Sequence, residues 1–400
     1  MKNTKRLGAL TLALIMALSA LTGCGGKTSN NSTAGSGSLP DGSSSAGDSS
    51  QVTPMDLSQI TDPYLAVSGL AEDEVVARLG EAEITAADYL YWLNRSIENY
   101  LSQFGGQMTT LPWDTEMAEG LTFGQYMMDQ ALEGSVFHCL LREMARRENL
   151  TPDPSIAEAV DKEYVDMIVQ ADSNEDRVIH TLWSRMLTKD LLTRLNENNG
   201  LYSQLQELYF GEDSGHYPTD AEVNAYLDEA GYFRVKHILL MTIDQNTNEP
   251  LAEDVIAQKK ATADDLLAQL RAAEDPIALF DQLMNEYSED GGLATNPDGY
   301  IFDSSDSLVG GFREATLALA VGEISDVVET DYGYHIMLRL PIDPADYRSE
   351  CTSYLLEERM DQLEAELGVE KAASLDKLNV GDFWDKMLSL QTAVYQETNG

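Results

Sequence analysis

The hydrophobic pattern divides the chain into a long helical segment, a mixed segment and a shorter helical segment. Between residues 71 and 232, apolar positions recur at the spacing of amphipathic helices. The first predicted helix starts near Thr85, where Asp88 gives a weak capping signal, and the next is Phe123–Arg147. A third is capped by Ser155 with Glu158, a fourth covers Val178–Leu195, and a fifth is capped by Thr219 with Glu222. Residues 74–85 are expected to form a short strand, a turn and the start of the first helix.

The pattern changes at residue 233, where FRVKHILLM is typical of a strand. The elements expected next are helices at about 254–271 and 276–287, a loop rich in glycine and aspartate, a short helix at 312–319, and strands near 324–329 and 335–340. This order describes a compact α+β domain over residues 233–341, an antiparallel sheet surrounded by helices. It is inserted between residues 71–232 and 342–400, and the apolar stripe of the latter is expected to pack on the first helical segment.

The amino terminus carries the pattern of an export signal. Three basic residues precede an apolar run, residues 7–21, that is too short to span a bilayer comfortably. The run ends in LTGC and resembles the lipobox of bacterial lipoproteins, in which Cys24 would be lipidated. We expect a signal peptide over residues 1–23, with an ordinary secretory signal and a chance cysteine as the alternative. Residues 24–70 begin with a Gly- and Ser-rich tract and are predicted to be a flexible linker.

Composition narrows the class of partner. The 68 acidic and 26 basic side chains give a net charge of −42, which argues against nucleic-acid binding because little would neutralise the phosphates.

The methionines of the helical segment are predicted to fill its core, with an adaptable client-binding surface as the alternative; they are Met108, Met117, Met127, Met128, Met144, Met167 and Met186. Cys139 and Cys351 are predicted to be buried thiols, and a disulfide between them stays open.

The candidate chemistry lies in the mixed segment. The chain has five histidines, and two of them, His237 and His335, open the outer strands of the predicted sheet. Each alone is read most simply as a structural residue. A metal site lacks a third ligand at useful spacing, and no nucleophile elbow supports a serine hydrolase. Neither a metal nor a cofactor is expected.

Four motifs taken together are more specific than either histidine. They are VKHILL (235–240), YSEDGG (287–292), GGFREATLALAVGEISDVV (310–328) and TDYGYHI (330–336). In this combination the segment 233–341 resembles the parvulin family of peptidyl-prolyl isomerases. The resemblance implies that His237 and His335 are the paired histidines of the active-site floor. It also implies that Thr330 hydrogen-bonds within that pair and that Asp290 lies beside the X-Pro amide.

The same resemblance implies a proline-binding pocket. Phe312 would be its aromatic wall, and Leu308 stands where the family usually carries methionine. Gly299 stands where many parvulins carry a pocket leucine, and the loop before Gly310 is one residue longer than in many relatives. Selectivity for phosphorylated Ser/Thr-Pro is not expected, because the loop at 241–254 contains no Lys or Arg.

The order of lipobox, tether, helical region, parvulin domain and helical tail resembles that of PrsA-type foldase lipoproteins, and the helical segment is similar in layout to the chaperone part of SurA. The resemblance implies a foldase, lipid-anchored on the extracytoplasmic face of the cell membrane, that isomerises X-Pro bonds of newly secreted proteins and cradles unfolded clients. A homodimer through the helical domain is compatible with the sequence. The rival is a non-enzymatic holdase whose parvulin domain only binds clients. A solute-binding lipoprotein would need repeated α/β units that this chain lacks.

Overall fold

The structure, a computed structural model, describes residues 52–103 and 111–399. The predicted signal peptide, the lipidation site Cys24, most of the Gly- and Ser-rich tract and Met108 lie outside the described residues. The described chain forms two units. One is Tyr217–Tyr354, and the other joins the described residues up to His216 with those from Leu355 onward.

Up to residue 216 the chain is mainly helical. Its elements are α1 (Pro63–Ser68), β1 (Val75–Leu79), β2 (Ala82–Thr85), α2 (Ala86–Gln103), β3 (Glu116–Ala118), β4 (Leu121–Thr122), α3 (Phe123–Arg147), α4 (Pro154–Gln170), α5 (Glu175–Trp183) and α6 (Lys189–Phe210). Helix α3 has the predicted bounds, and a capping box between Thr122 and Gln125 sets its start. The hairpin β3–β4 was not predicted, and β2 replaces the expected helix start within residues 74–85.

Two predicted helix boundaries in this part are wrong. The cap of α4 is Asp153, whose carboxylate accepts from the Ser155 amide at 2.9 Å, because Pro154 already has the φ of a first helical residue. The helix predicted over 178–195 is two helices, because Met186 has φ +55° and Thr188 caps a new helix.

The linker also differs from its predicted extent to residue 70. Helix α1 lies within it, and Tyr64 and Val67 of that helix are both fully buried. Asp62 caps the helix by accepting from the amides of Tyr64 and Leu65. A segment that buries apolar side chains is folded, so the residues of α1 are not part of a flexible linker.

The unit Tyr217–Tyr354 has the predicted α+β class. Its elements are α7 (Asp220–Ala230), β5 (Phe233–Met241), α8 (Glu253–Ala272), α9 (Pro276–Tyr287), β6 (Tyr300–Phe302), α10 (Phe312–Leu317), β7 (Val328–Thr330) and β8 (Gly333–Leu340). The capping box of α7 joins Thr219 to Glu222, as predicted. The strands form one antiparallel sheet in the order β6-β5-β8-β7. The three-residue strand β6 was missed, because so short a run has no recognisable period.

The two faces of this sheet have separate apolar clusters. One face packs on α8 and α9 through Ile238, Leu240, Ile336 and Leu338, together with Phe280 of α9. The other face buries a smaller cluster around α10. Since strand residues alternate between faces, the even positions of β5 and β8 build the main core and the odd positions point to the second face.

The chain ends in α11 (Arg348–Leu367), β9 (Val369–Lys371) and α12 (Val380–Asn399). Strand β9 pairs with β1 and completes the sheet β2-β1-β9. Helix α12 packs against α1 and α5 with Phe383, Met387 and Leu390 fully buried. Cys139 and Cys351 are both buried free thiols and belong to different units. None of the helices within the described ranges has the length and apolar character that crossing a membrane requires.

Candidate active site

Strand alternation decides which side chains meet beside α10. Phe233 and His237 of β5 and His335 and Met337 of β8 share the face that carries the smaller apolar cluster. His237 is paired with Met337 in the register, so the two histidines are diagonal neighbours across the strand pair. Phe312 of α10 packs into the same cluster.

The two histidines contact each other directly. Their Nδ1 atoms are 3.1 Å apart, and their rings are stacked with centroids 5.3 Å apart at 14°. Phe312 meets both rings edge to face, with centroid distances of 5.3 Å to each. His335 is only 2% exposed. The pair therefore forms a floor under an aromatic wall, with His335 shielded from solvent and His237 half-buried.

Asp290 closes one end of the pair. Its Oδ2 lies 3.1 Å from His237 Nε2 and accepts from the Tyr300 hydroxyl at 2.5 Å. Its Oδ1 accepts from the Gly292 amide at 3.1 Å. The hydrogen bond with His237, followed by that from Tyr300, holds the pKa of the Asp290 carboxyl well below its usual range. Burial, and then the bond to the carboxylate, raise the pKa of Tyr300 to about 12.

Thr330 closes the other end. Its Oγ1 is 2.8 Å from His335 Nε2. Burial, followed by the charge of His237, lowers the pKa of His335 to about 3. His335 is consequently neutral at physiological pH and can offer one donor and one acceptor.

Donor and acceptor accounting sets the direction of these hydrogen bonds when both rings are neutral. An ionised Asp290 only accepts, so His237 carries its proton on Nε2 and presents the Nδ1 lone pair. His335 then donates from Nδ1, and its Nε2 accepts from the Thr330 hydroxyl. The four predicted polar residues thus form one line of hydrogen bonds from Thr330 to Asp290.

Of the three predicted pocket residues, Phe312 and Leu308 lie in the apolar cluster of the histidine face, and Gly299 lies in a turn. Phe312 is 4% exposed over the histidines, and Leu308 is partly buried against the same cluster. Gly299 lies in the turn before β6 with φ +94°, and a Cβ there would come within 2.7 Å of the Val235 carbonyl oxygen. Backbone geometry by itself accounts for glycine at residue 299.

Asp290 is positioned by the residue before it. The Glu289 amide donates to the Leu239 carbonyl at 2.8 Å, and the Glu289 carboxylate accepts from the Met241 amide at 2.7 Å. The same carboxylate pairs with Lys259 of α8. Residue 289 therefore continues the pairing along the edge of β5 beyond β6, which leaves Asp290 beside His237.

Sequence reasoning missed three contributors to this site, namely Tyr300, Met337 and Glu289. Tyr300 belongs to the short strand that was read as loop, so no periodicity marked the face to which it points. Met337 was visible as a strand residue on the face of His335, and its register opposite His237 follows only from the pairing. The YSEDGG motif contained Glu289 but did not indicate that it binds β5.

Comparison with known proteins agrees with this geometry. A family model described as the PPIC-type PPIase domain matches residues 226–338. The Foldase protein PrsA of Geobacillus kaustophilus is 40% identical over 86 residues, which cover 22% of this chain but only 29% of that relative. The Foldase protein PrsA of Caldanaerobacter subterraneus subsp. tengcongensis is 26% identical over 344 residues, covering 79% of this chain and 92% of the relative.

Two further matches are with an isomerase and with a solved structure. The peptidyl-prolyl cis-trans isomerase Pin1 of Malus domestica is 39% identical over 85 residues, covering 20% of this chain and 69% of the relative. The crystal structure of PrsA from Bacillus subtilis matches 64% of this chain and 90% of its own, at 21% identity and a TM-score of 0.23.

Sheet, site and family model together define a peptidyl-prolyl cis-trans isomerase domain of the PPIC type. The chain belongs to the parvulin family of these isomerases, and it is similar to the Foldase protein PrsA of several bacteria.

Proposed function

We propose that the unit Tyr217–Tyr354 isomerises X-Pro bonds in newly secreted proteins, with four residues carrying the reaction: His237, Asp290, Thr330 and His335. The observation that supports this most is the line of hydrogen bonds from Thr330 to Asp290 beneath Phe312. Such a line holds two imidazoles in fixed orientations within an apolar surrounding.

The proposed mechanism follows from the physics of the prolyl amide. Resonance imposes a barrier of about 18–20 kcal/mol on rotation, and no bond is made or broken. Phe312 and Leu308 would grip the proline ring in a dry slot while the carbonyl turns. The twisted amide is less conjugated and carries less charge on its oxygen, so a pre-oriented, water-poor site favours it over the planar forms. The ionised Asp290 would set the field near the turning carbonyl.

Replacing His237 by alanine is expected to lower kcat/KM for a short X-Pro peptide at least about tenfold, because the line of hydrogen bonds loses its centre. The measurement is isomerisation of the peptide by the full chain, followed by NMR exchange spectroscopy. His216→Ala is the matched control, since His216 is exposed. A wild-type chain that is folded and inactive, or a His237→Ala chain as active as wild type, would refute the proposed chemistry.

We also propose that the helical unit binds unfolded clients. Large apolar side chains are exposed on it, among them Met117, Val165 and Val169 at 53%, 57% and 66%. Of the six described methionines of this segment, Met127, Met144 and Met186 are buried, Met128 and Met167 are half-buried, and Met117 is exposed. The His237→Ala chain should therefore still suppress aggregation of a denatured protein, measured by light scattering. If secretion of clients survives in cells that carry only this variant, the physiological role is client binding without isomerisation.

The proposed location is the extracytoplasmic face of the cell membrane, with Cys24 as the lipid-bearing residue. Replacing Cys24 by alanine is expected to release the protein from the membrane fraction and to abolish incorporation of labelled palmitate. Two or more acyl chains are needed for stable attachment, so their loss should be complete rather than partial. Cys139→Ala is the matched control, since its thiol is buried. Retention of the Cys24→Ala protein on membranes would contradict the anchor.

A further inference from the structure

The hydroxyl of Tyr300 shares one carboxylate oxygen with the catalytic histidine proposed above. Asp290 Oδ2 accepts from Tyr300 at 2.5 Å and lies 3.1 Å from His237 Nε2, while Oδ1 is taken by the Gly292 amide. Three donors therefore converge on one carboxylate. An ionised carboxylate can satisfy them all, whereas a protonated one would have to donate from one oxygen.

The fold clears space for this hydroxyl. A Cβ on Gly292 would overlap the Tyr300 hydroxyl oxygen, and the amide of the same glycine serves Asp290. Gly292 has no positive φ that would otherwise require glycine. Its missing side chain is thus explained by the approach of Tyr300 to Asp290.

The ring of Tyr300 is held by its surroundings. Tyr300 is paired with Val235 in the β5–β6 register, and its ring stacks on Phe302 at 5.6 Å and 8°. It also meets the ring of His237 at 5.7 Å and 85°. Since packing on both sides fixes the ring, its hydroxyl reaches Asp290 without further ordering of the side chain.

We propose that Tyr300 is a positioning residue of the isomerase site: its hydroxyl holds Asp290 Oδ2 beside His237 Nε2 and so sets the direction of the hydrogen bonds through His237 and His335. The proposal rests on the function proposed for this site. It assigns to Tyr300 no contact with the substrate.

The consequence of losing the hydroxyl follows from the donor count. Asp290 would keep His237 and the Gly292 amide but lose its shortest donor, so its carboxylate would no longer be held in one orientation beside His237. A carboxylate that turns away from Nε2 leaves His237 free to carry its proton on Nδ1 instead. The titratable groups that face Asp290 are His237 of β5 and Tyr300 of β6, with His335 of β8 behind His237.

The test is Tyr300→Phe in the full chain, which keeps the packed ring. We expect kcat/KM at pH 7 to fall about three- to tenfold. Nitrogen NMR of the imidazoles at the same pH should show a smaller fraction of the Nε2–H tautomer of His237 than in wild type. Tyr332→Phe is the matched control, because this ring is 45% exposed in the β7–β8 turn.

A double variant separates positioning from packing. If Tyr300 acts through Asp290, then Tyr300→Phe should cause no further loss of activity in an Asp290→Asn background. Equal losses in both backgrounds, or an unchanged fraction of the His237 tautomers in the single variant, would overturn the proposal. An inactive wild type would instead refute the proposed function, while the imidazole signals would still report whether Tyr300 directs the histidine pair.

Discussion

Replacing Gly333 by alanine is expected to disrupt the strand pairing around His335 and to abolish isomerase activity. Gly333 is the first residue of β8 and has φ +142°. A Cβ there would overlap the Leu240 carbonyl oxygen and come within 2.9 Å of the Met241 Cα, both on the neighbouring strand. Backbone strain and overpacking together should cost about 4 kcal/mol of the free energy of unfolding.

The effect should reach the site because Gly333 stands between Thr330 and His335, which are hydrogen-bonded to each other. Urea unfolding should be followed by the imidazole NMR signals of His237 and His335, which belong to the isomerase unit. The four tryptophans, Trp92, Trp113, Trp183 and Trp384, all belong to the helical unit, so their fluorescence reports on that unit instead.

Gly322→Ala is the matched control for Gly333→Ala. Gly322 also has a positive φ, +85°, but no atom lies within 4 Å of a Cβ built there. Its replacement should cost only the backbone term, about 1–2 kcal/mol, with activity retained. Equal effects of the two substitutions would show that the close approach of β5 to Gly333 is not what requires glycine.

Lowering the pH from 7 to 4.5 is expected to destabilise the isomerase unit through His335. Burial lowers the pKa of this imidazole from 6.5 to about 3 in the folded protein. Between these values the unfolded chain binds one more proton than the folded chain, so the free energy of unfolding falls as the pH falls through this window. At pH 4.5, two units below the ordinary pKa, the loss should be about 2–3 kcal/mol.

The depressed pKa of the Asp290 carboxyl acts in the same direction at lower pH. Its stabilising contribution is present above the ordinary carboxyl pKa and is lost as the pH falls below about 4. The His335 contribution is isolated by comparing urea midpoints at pH 7 and pH 4.5 in wild type and in His335→Asn. The variant should lose less stability than wild type over this range, and His216→Ala should behave like wild type. An equal loss in all three proteins would mean that His335 is not buried in its neutral form.

Local signals in the sequence predicted much of the helical architecture. The bounds of α3 followed from the spacing of its apolar residues, and the cap of α7 followed from a capping box, which uses only neighbouring residues. Signals of the same kind failed where a neighbour competed. Asp153 rather than Ser155 caps α4 because Pro154 occupies the first helical position, and Met186 adopts a positive φ that no pattern of apolar residues reveals.

The candidate site was predicted in part. The family resemblance named the two histidines, Asp290 and Thr330, and the structure brings them together in one line. Their roles stay a prediction until the substitutions are made. Gly299 lies in a turn with φ +94°, which glycine adopts without strain. Tyr300 was missed because its hydroxyl meets Asp290, ten positions earlier in the chain, only in the folded structure.

The sequence by itself determined which face of each long strand every residue occupies, because side chains alternate with a period of two wherever pairing occurs. That alternation already placed His237 with Phe233, and His335 with Met337. Only the tertiary structure decided the register, which makes the two histidines diagonal neighbours with their Nδ1 atoms 3.1 Å apart. Register depends on contacts between segments about a hundred residues apart, and a local sequence pattern does not show such contacts.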